Sequence, residues 1–576
     1  MAVWRLTTTA TQLGALADLR GYDSPAARKA LSAFVGGEEG AVRRASSGKV
    51  GLALSGGGFR ASLFHIGVLA RPECDVLRRV EVLSCVSGGS IVGSFYYLKL
   101  RRLLQSKRDD EIDGTDYVRL VREIAVEFLD SVRQDIRGRL GESITDNFKM
   151  LSSQYSRTDR AAELFEELIY AKVPKDAEDD PAQPWRMTDL YVRPLGAESE
   201  FSLRYDNWRR NSKVPILVLN ATSLNTGHNW QFTASWMGEP AADADEKVDA
   251  TPRLRRVYYE DAPKKHRRPP LARAVAASAC VPGLFPRVTI SGLYPDIDVE
   301  LVDGGAYDNQ GIASLLEEDC AVILVSDATG QIRENEHPKR GLLGVANRSN
   351  SVLMSRVRGA QYGLLSSRLR SQTLRGLMVV HLRKGLWSKP IDWEGCQEPY
   401  DPRDDELPPD IATRPSEYAI DRDVQRALAQ LRTDLDVFSD DEAYSLMATG
   451  YKMTAHELDG IFADVAGPAP TAAGWPFESM LATIRDGAEA DALADILAPG
   501  RARFFRAFIG WREHRSLRRR GRIERVLDAA ARPAIPVAEH TAERLLVSPL
   551  RKVVSAPLAV AGAIGSRLYL LAGRRK

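Results

Sequence analysis

Two short apolar runs, each closing in a cluster of glycines and passing at once into helical spacing, constrain this 576-residue chain more than any other feature. Val50–Leu54 ends in Ser55-Gly56-Gly57-Gly58-Phe59-Arg60, after which Phe64, Val68 and Leu69 share one helix face. Val80–Val86 ends in Ser87-Gly88-Gly89, after which Ile91, Phe95 and Leu98 recur at helical intervals as far as Arg101 and Arg102. Strand, glycine turn, helix, repeated once, predicts a parallel βαβ unit.

The remaining chain fits an α/β body. Val121, Ile124, Ala125, Phe128, Val132 and Ile136 form a helical stripe, and Val424, Leu428, Leu431 and Leu435 form another. Val214–Leu219, Val288–Ile290, Val322–Val325 and Leu377–Leu382 read as strands, and Ser439 with Glu442 as a capping box. Polar, Pro-containing loops fall at 172–185 and 239–269, and 388–410 is a Pro/Asp-rich break. The length exceeds what one core usually serves. The expected organisation is an N-terminal helical arm over 1–48, an α/β body over 49–455 and a helical, basic extension over 456–576. Five cysteines, odd in number and never in CxxC spacing, argue against a disulfide framework and for a reducing compartment. With no signal-peptide pattern and no long uncharged apolar run, the expected location is cytoplasmic, with peripheral membrane contact open.

The chemistry begins at Gly56-Gly57-Gly58. Three glycines between a strand and a helix leave main-chain N–H groups at a helix N-terminus, which suits an anion or a developing oxyanion. Gly56-x-Gly58-x-x-Ala61 also partly matches a dinucleotide fingerprint, but Glu81 lies at the start of the next strand, whereas that fingerprint wants an acid near its end. A tight turn with no ligand is the plain alternative. The strand does end at Ser87, in Cys85-Val86-Ser87-Gly88-Gly89. This is a G-x-S-x-G elbow with Cys85 in place of the first glycine and Gly89 intact. A serine nucleophile needs a base. None of the eight histidines sits at a convincing downstream strand end, and His228 fits least badly. Asp303, in Leu301-Val302-Asp303-Gly304-Gly305, is the better candidate.

GGGFR, a serine elbow some thirty residues on and DGG far downstream together resemble the patatin-like phospholipases. Leu219–Gly227 is similar to that family's central strand and following loop. Ala276-Ala277-Ser278-Ala279-Cys280-Val281-Pro282-Gly283-Leu284-Phe285-Pro286 is similar to its segment ahead of the aspartate. The resemblance implies a three-layer α/β/α fold with a mainly parallel sheet and a serine acyl hydrolase acting on lipid esters. In it, Ser87 is the nucleophile and Asp303 its base. Gly56, Gly57, Gly58 and Arg60 make the oxyanion hole, with Arg60 either adding charge or tying the loop down. Such a scheme uses no cofactor and no metal, and Asp303–Asp308–Asn309 does not fit an EF-hand loop. Open alternatives are a regulated membrane-damaging effector of the same fold, a nucleotide-binding protein using the glycine turn, and an interaction platform.

Net charge is +2, but its distribution is uneven: residues 501–576 carry 18 Lys+Arg against 5 Asp+Glu, leaving −11 on the rest. Arg518-Arg519-Arg520-Gly521-Arg522, beside Phe504, Phe505, Phe508, Ile509 and Trp511, suits an anionic membrane surface, and Val553–Leu571 could add a shallow anchor. Nucleic acid competes for the same charge, but a lipid hydrolase must reach a bilayer, which favours membrane. Oligomeric state is unreadable from sequence.

Overall fold

The computed structural model describes residues 48–501, apart from 71–75, 143–154, 176–182, 198–200, 242–249, most of 330–339, 387–389, 400–414, 463–473 and 486. The expected N-terminal arm, the basic run at 518–522 and the apolar stretch at 553–571 lie outside the described residues.

Both glycine turns sit at the carboxyl ends of adjacent parallel strands. Strand β1 (Lys49–Leu54) leads into helix α1 (Gly58–Leu69), and β2 (Val80–Val86) into α2 (Gly88–Ser106). The chain continues through α3 (Gly114–Val132), α4 (Ile136–Glu142), α5 (Arg157–Leu168), β3 (Ile216–Ser223), β4 (Asn229–Phe232), β5 (Trp236–Gly238) and β6 (Val257–Tyr258). Next come α6 (Leu271–Ala279), β7 (Val288–Tyr294), β8 (Ile297–Asp303), α7 (Gly305–Asp308), α8 (Ile312–Glu317), β9 (Cys320–Asp327), α9 (Leu342–Arg370) and β10 (Gly376–His381). Helices α10 (Arg422–Ala429), α11 (Asp440–Phe462), α12 (Met480–Thr483) and α13 (Ala488–Leu497) complete the described chain.

One sheet runs β10-β9-β1-β2-β3-β4-β5-β6, with β8 also pairing β3 and β7 pairing β8. Strands β10, β9, β1, β2 and β3 are mutually parallel, and the remaining pairs are antiparallel. Alternation along each parallel strand divides the core into two layers. Leu52, Leu54, Leu83, Cys85, Leu217, Leu219, Leu324, Met378 and Val380 join the larger cluster, with α1, α2, α3 and α11. Ala53, Val82, Val218, Ile323 and Val325 join the smaller one, with Ile312 and Leu315 of α8 and Leu365 of α9. The sheet is thus covered by helices on both faces, as the α/β reading anticipates.

Local chemistry moved three expected boundaries. The α3 stripe stops at Val132, because Asp135 takes a left-handed φ of 52° and Ile136 opens a separate helix. Strand β3 begins two residues later than expected, since the Val214 N–H is taken by Asn207 Oδ1 at 2.8 Å. It then runs on through polar Asn220, Thr222 and Ser223, which β4 and β8 pair. Helix α10 ends at Ala429, short of Leu431 and Leu435, and the chain beyond turns to pack against the first glycine turn. The Ser439–Glu442 capping box is present: the Ser439 N–H donates to Glu442 Oε2 at 2.9 Å and the Glu442 N–H to Ser439 Oγ at 3.3 Å. Trp475, Phe477, Leu493 and Leu497 belong to the same core cluster as the body.

Candidate active site

Strand β3 has only two edges, and their occupancy builds the site. Strand β4 pairs residues 219–222 on one edge. Strand β2 pairs 216–220 on the other, ending with Val86 opposite Asn220. Strand β8 pairs 221–223, beginning with Asp303 opposite Ala221. Because β4 already holds its edge at 221–222, β8 must continue the β2 edge, running the opposite way. The carboxyl ends of β2 and β8 therefore meet head to head at Asn220–Ala221. That meeting brings Ser87 to Asp303 across 216 residues of sequence. Gly304 fits the junction closely: a Cβ there would lie 2.3 Å from the Asn220 carbonyl oxygen.

Ser87 caps α2 with φ 51° and ψ −118°, a conformation rare for a side-chain-bearing residue, so its hydroxyl leaves the sheet over the helix's positive end. The strain is held in place from several directions. The Ser87 N–H donates to Ser278 Oγ at 3.0 Å, and the Ile91 N–H closes back on the Ser87 carbonyl at 3.2 Å. A Cβ on Gly89 would meet the Leu54 carbonyl oxygen at 2.2 Å, which explains the glycine there. Cys85 is buried, and its thiol is pushed well up by desolvation. The elbow accepts its sulfur because Gly93 of α2 lies opposite, where an added Cβ would be 2.4 Å from Sγ.

Asp303 is buried. Its Oδ1 accepts the Gly305 N–H at 2.7 Å, and among the described residues Oδ2 has no partner other than the Ser87 hydroxyl, which interacts with the carboxyl. Burial pushes this carboxyl up to about 6, against the opposing pull of the Gly305 N–H and the Ser87 hydroxyl.

The glycine turn lies beside the elbow. A Cβ on Gly56 would sit 3.1 Å from Ser87 Cβ, and one on Gly88 would sit 2.9 Å from the Gly58 nitrogen. Gly57 and Gly58 take φ of 138° and 57° as α1 opens, and among the described residues their N–H groups donate to no protein acceptor. Two of the expected oxyanion-hole members are otherwise engaged. The Gly56 N–H donates to the Asn309 carbonyl at 2.9 Å, so this residue shapes the turn rather than offering a donor. Arg60 is buried and donates to the carbonyl oxygens of Leu431 at 2.8 Å, Ala429 at 3.2 Å and Ala328 at 2.7 Å. Its charge is committed to holding the loops after β9 and α10, the tying role rather than the charge-donating one.

Ser278 is the positioning residue whose role the sequence left unassigned. Its hydroxyl donates to the Asn220 carbonyl at 2.5 Å, which leaves Ser90 Oγ, 2.8 Å away, and the Ser87 N–H as donors to it. Its carbonyl accepts the Gly304 N–H at 3.2 Å, while the Cys280 carbonyl accepts the Asp303 N–H at 3.1 Å. One short segment thus fixes both Ser87 and Asp303. Its only sequence signal was the ASAC-V-P string quoted for the family resemblance.

Among the described residues, no histidine hydrogen-bonds to Ser87 or Asp303. His65 lies buried between strand ends, with Nε2 donating to the Ser55 carbonyl at 2.9 Å and Nδ1 accepting from Ser326 Oγ at 2.6 Å. Burial lowers it to about 4, so it is a neutral structural link. His228 sits 3.4 Å from Glu239 Oε2, and His381 3.7 Å from Asp327 Oδ2. Asp308 is spent on the N–H groups of Gln310, Gly311 and Ala313.

Gly58→Ala tests the turn. An added Cβ would stand 2.5 Å from the Asp434 carbonyl oxygen and 2.6 Å from the Thr433 carbonyl carbon, both main chain, at a left-handed φ. Main chain cannot swing aside, so the turn must shift. Thermal unfolding should show a loss of about 1–3 kcal/mol, and hydrolysis should fall on the order of 10²-fold as the donor moves.

Residues 52–316 match the family model described as patatin-like phospholipase. Two solved structures of human GIVD cytosolic phospholipase A2 are similar. One, in complex with methyl gamma-linolenyl fluorophosphonate and terbium chloride, has 12% identity, covers 73% of this chain and 59% of that chain, and has a TM-score of 0.34. The other has 13% identity, 73% and 60% coverage, and a TM-score of 0.32. This chain thus spans about three-fifths of the length of those relatives. No curated protein is significantly similar. The matched segment holds both glycine turns, Ser87, Ser278 and Asp303, while β9, β10 and the helices packed beside them follow it. Residues 52–316 thus match a patatin-like phospholipase domain.

Proposed function

We propose that this chain is a serine acyl hydrolase that cleaves fatty-acyl esters of membrane lipids through a Ser87–Asp303 dyad. One observation carries the reading: a serine on a strained strand-to-helix turn shares its position with a buried carboxyl of raised pKa and with the uncommitted N–H groups of a second helix N-terminus. Asp303 takes the hydroxyl proton as Ser87 Oγ bonds to the ester carbonyl carbon. The carbonyl oxygen becomes an oxyanion facing the Gly57 and Gly58 N–H groups. Collapse breaks the C–O bond, and Asp303 returns its proton to the leaving alcohol. Water then attacks the acyl-serine as Asp303 takes its proton, the bond between the acyl carbon and Ser87 Oγ breaks, Asp303 returns the proton to Oγ, and the fatty acid leaves. A phospholipid panel with products read by mass spectrometry tests this: wild type should release free fatty acid and lysolipid, and Ser87→Ala should release neither.

The nucleotide reading finds less support at the same turn. Its rim is occupied, since the Phe59 N–H donates to the Asp434 carbonyl at 3.0 Å and the Gly56 N–H to Asn309, which leaves donors for a single oxygen rather than a diphosphate.

The expected organisation keeps its boundaries in this proposal: an arm over 1–48, a catalytic body over 49–455 and an extension over 456–576 that brings the enzyme to anionic membranes through its arginines. Reversing Arg518, Arg519 and Arg520 to Glu should lower co-sedimentation with anionic vesicles by on the order of tenfold or more, because each basic residue near such a surface contributes about 1 kcal/mol. Unchanged sedimentation would remove the extension from this role.

A further inference from the structure

Helix α9 presents its apolar side to solvent. Its contacts with the body lie in one band: Tyr362 donates to Asp327 Oδ2 at 2.6 Å, Arg358 to Thr329 Oγ1 at 3.4 Å, Gln361 bonds to Asp308, and Leu365 is buried. At about 100° per residue, the opposite side carries Leu342, Val345, Val352, Leu353, Val357 and Leu364 within an arc of roughly 140°. Leu342 is 86% exposed and Leu353 60%, and the other four are also exposed. The helix holds five arginines and no Asp, Glu or Lys. Arg356 falls inside the stripe, and Arg348, Arg368 and Arg370 border it.

A second copy of the chain is a poor occupant, because pairing two such faces would bring like charges together on both. An anionic bilayer answers both properties, taking the aliphatic side chains below the headgroups and the arginines among them. The helix is also rooted at the right place. Asp308 ends α7, which directly follows Asp303, and Asp327 ends β9 at the carboxyl edge of the sheet where Ser87 sits. The loop leaving β10 at that same edge exposes Ile391 at 81% and Trp393 at 74%.

We propose that the outward face of α9 lies on an anionic phospholipid surface and seats the Ser87 edge against it. The purpose of this contact rests on the acyl-hydrolase reading, but the contact itself does not need turnover. The test uses the full chain carrying Ser87→Ala, so that lipids stay intact, with vesicles of phosphatidylcholine alone or mixed with phosphatidylglycerol. Val352→Asp with Leu353→Asp should reduce co-sedimentation with the mixed vesicles on the order of tenfold or more. Arg356→Glu with Arg368→Glu and Arg370→Glu should lower the preference for phosphatidylglycerol on the order of tenfold or more. In the chain retaining Ser87, both sets should leave hydrolysis of a water-soluble short-chain ester at the parent rate. Unchanged vesicle binding in both sets overturns the inference. So does a shift in oligomeric state by light scattering without a vesicle effect, which would make the face an interface between copies. If the parent hydrolyses no ester but vesicle binding responds as stated, the hydrolase reading falls and this one stands.

Discussion

Ser87→Ala is expected to lower fatty-acid release by on the order of 10³-fold or more while leaving the fold intact. Loss of a nucleophile that works as a unit with its base removes nearly the whole catalytic advantage, and 10³ in rate corresponds to about 4 kcal/mol of barrier. The fold survives because the elbow is held by the main chain of residue 87, through its N–H to Ser278 and its carbonyl to Ile91. Alanine bears the same left-handed φ at about the same cost as serine. Far-UV circular dichroism should therefore match wild type and thermal unfolding should stay cooperative, with the midpoint at neutral pH lowered as Asp303 loses the Ser87 hydroxyl. A variant that keeps wild-type release would mean the nucleophile is another residue, and fluorophosphonate labelling with peptide mapping would locate it.

Asp303→Asn should be comparably inactive and yet more stable at neutral pH. The Asp303 carboxyl titrates at about 6 in the folded chain against 3.8 ordinarily, with desolvation as the main cause. The folded state therefore binds the proton more tightly than the unfolded one. Stability falls as pH rises from about 4 to about 6, and the cost of the buried charge is fully present above that. A shift of this size corresponds to about 3 kcal/mol at pH 7. Asparagine carries no charge and its Oδ1 still accepts from Gly305. The melting temperature of the variant should thus exceed wild type at pH 7 and converge with it near pH 4. In wild type, kcat/KM should rise with pH to a plateau above about 6, as the base loses its proton. An Asp303→Asn variant that retains activity, or that is less stable than wild type at pH 7, would take the base away from Asp303.

Much of this was legible because it is local. A strand followed by glycines and a helix can be read in ten residues, since the backbone demands of the turn fall on the residues that form it. The Ser439–Glu442 cap was readable for the same reason. Strands β4 to β6 and β8 were not. They are short, partly polar and antiparallel, and their identity comes from the neighbour they pair with. The end of α10 was missed likewise: Leu431 and Leu435 keep helical spacing and stay buried, but tertiary packing against Gly58 draws the chain out of the helix before them.

Arg60 shows the limit at the site. From sequence, an arginine beside a glycine turn can serve an anion or a carbonyl. The three main-chain oxygens around it come from residues 328, 429 and 431, whose approach no local pattern encodes. Ser278 is similar, since a serine near a helix end says nothing of the N–H 191 residues away that it accepts. The order of residues was enough for the two glycine turns, the succession of the first strands and helices, and the residue types able to act as nucleophile, base and donors. It was not enough to bring Ser87 to Asp303, which depends on the shared edge of β3. Strand β2 stops with Val86 opposite Asn220, β8 takes the same edge of β3 from Ala221, and two chain ends pointing at each other must place their last residues side by side.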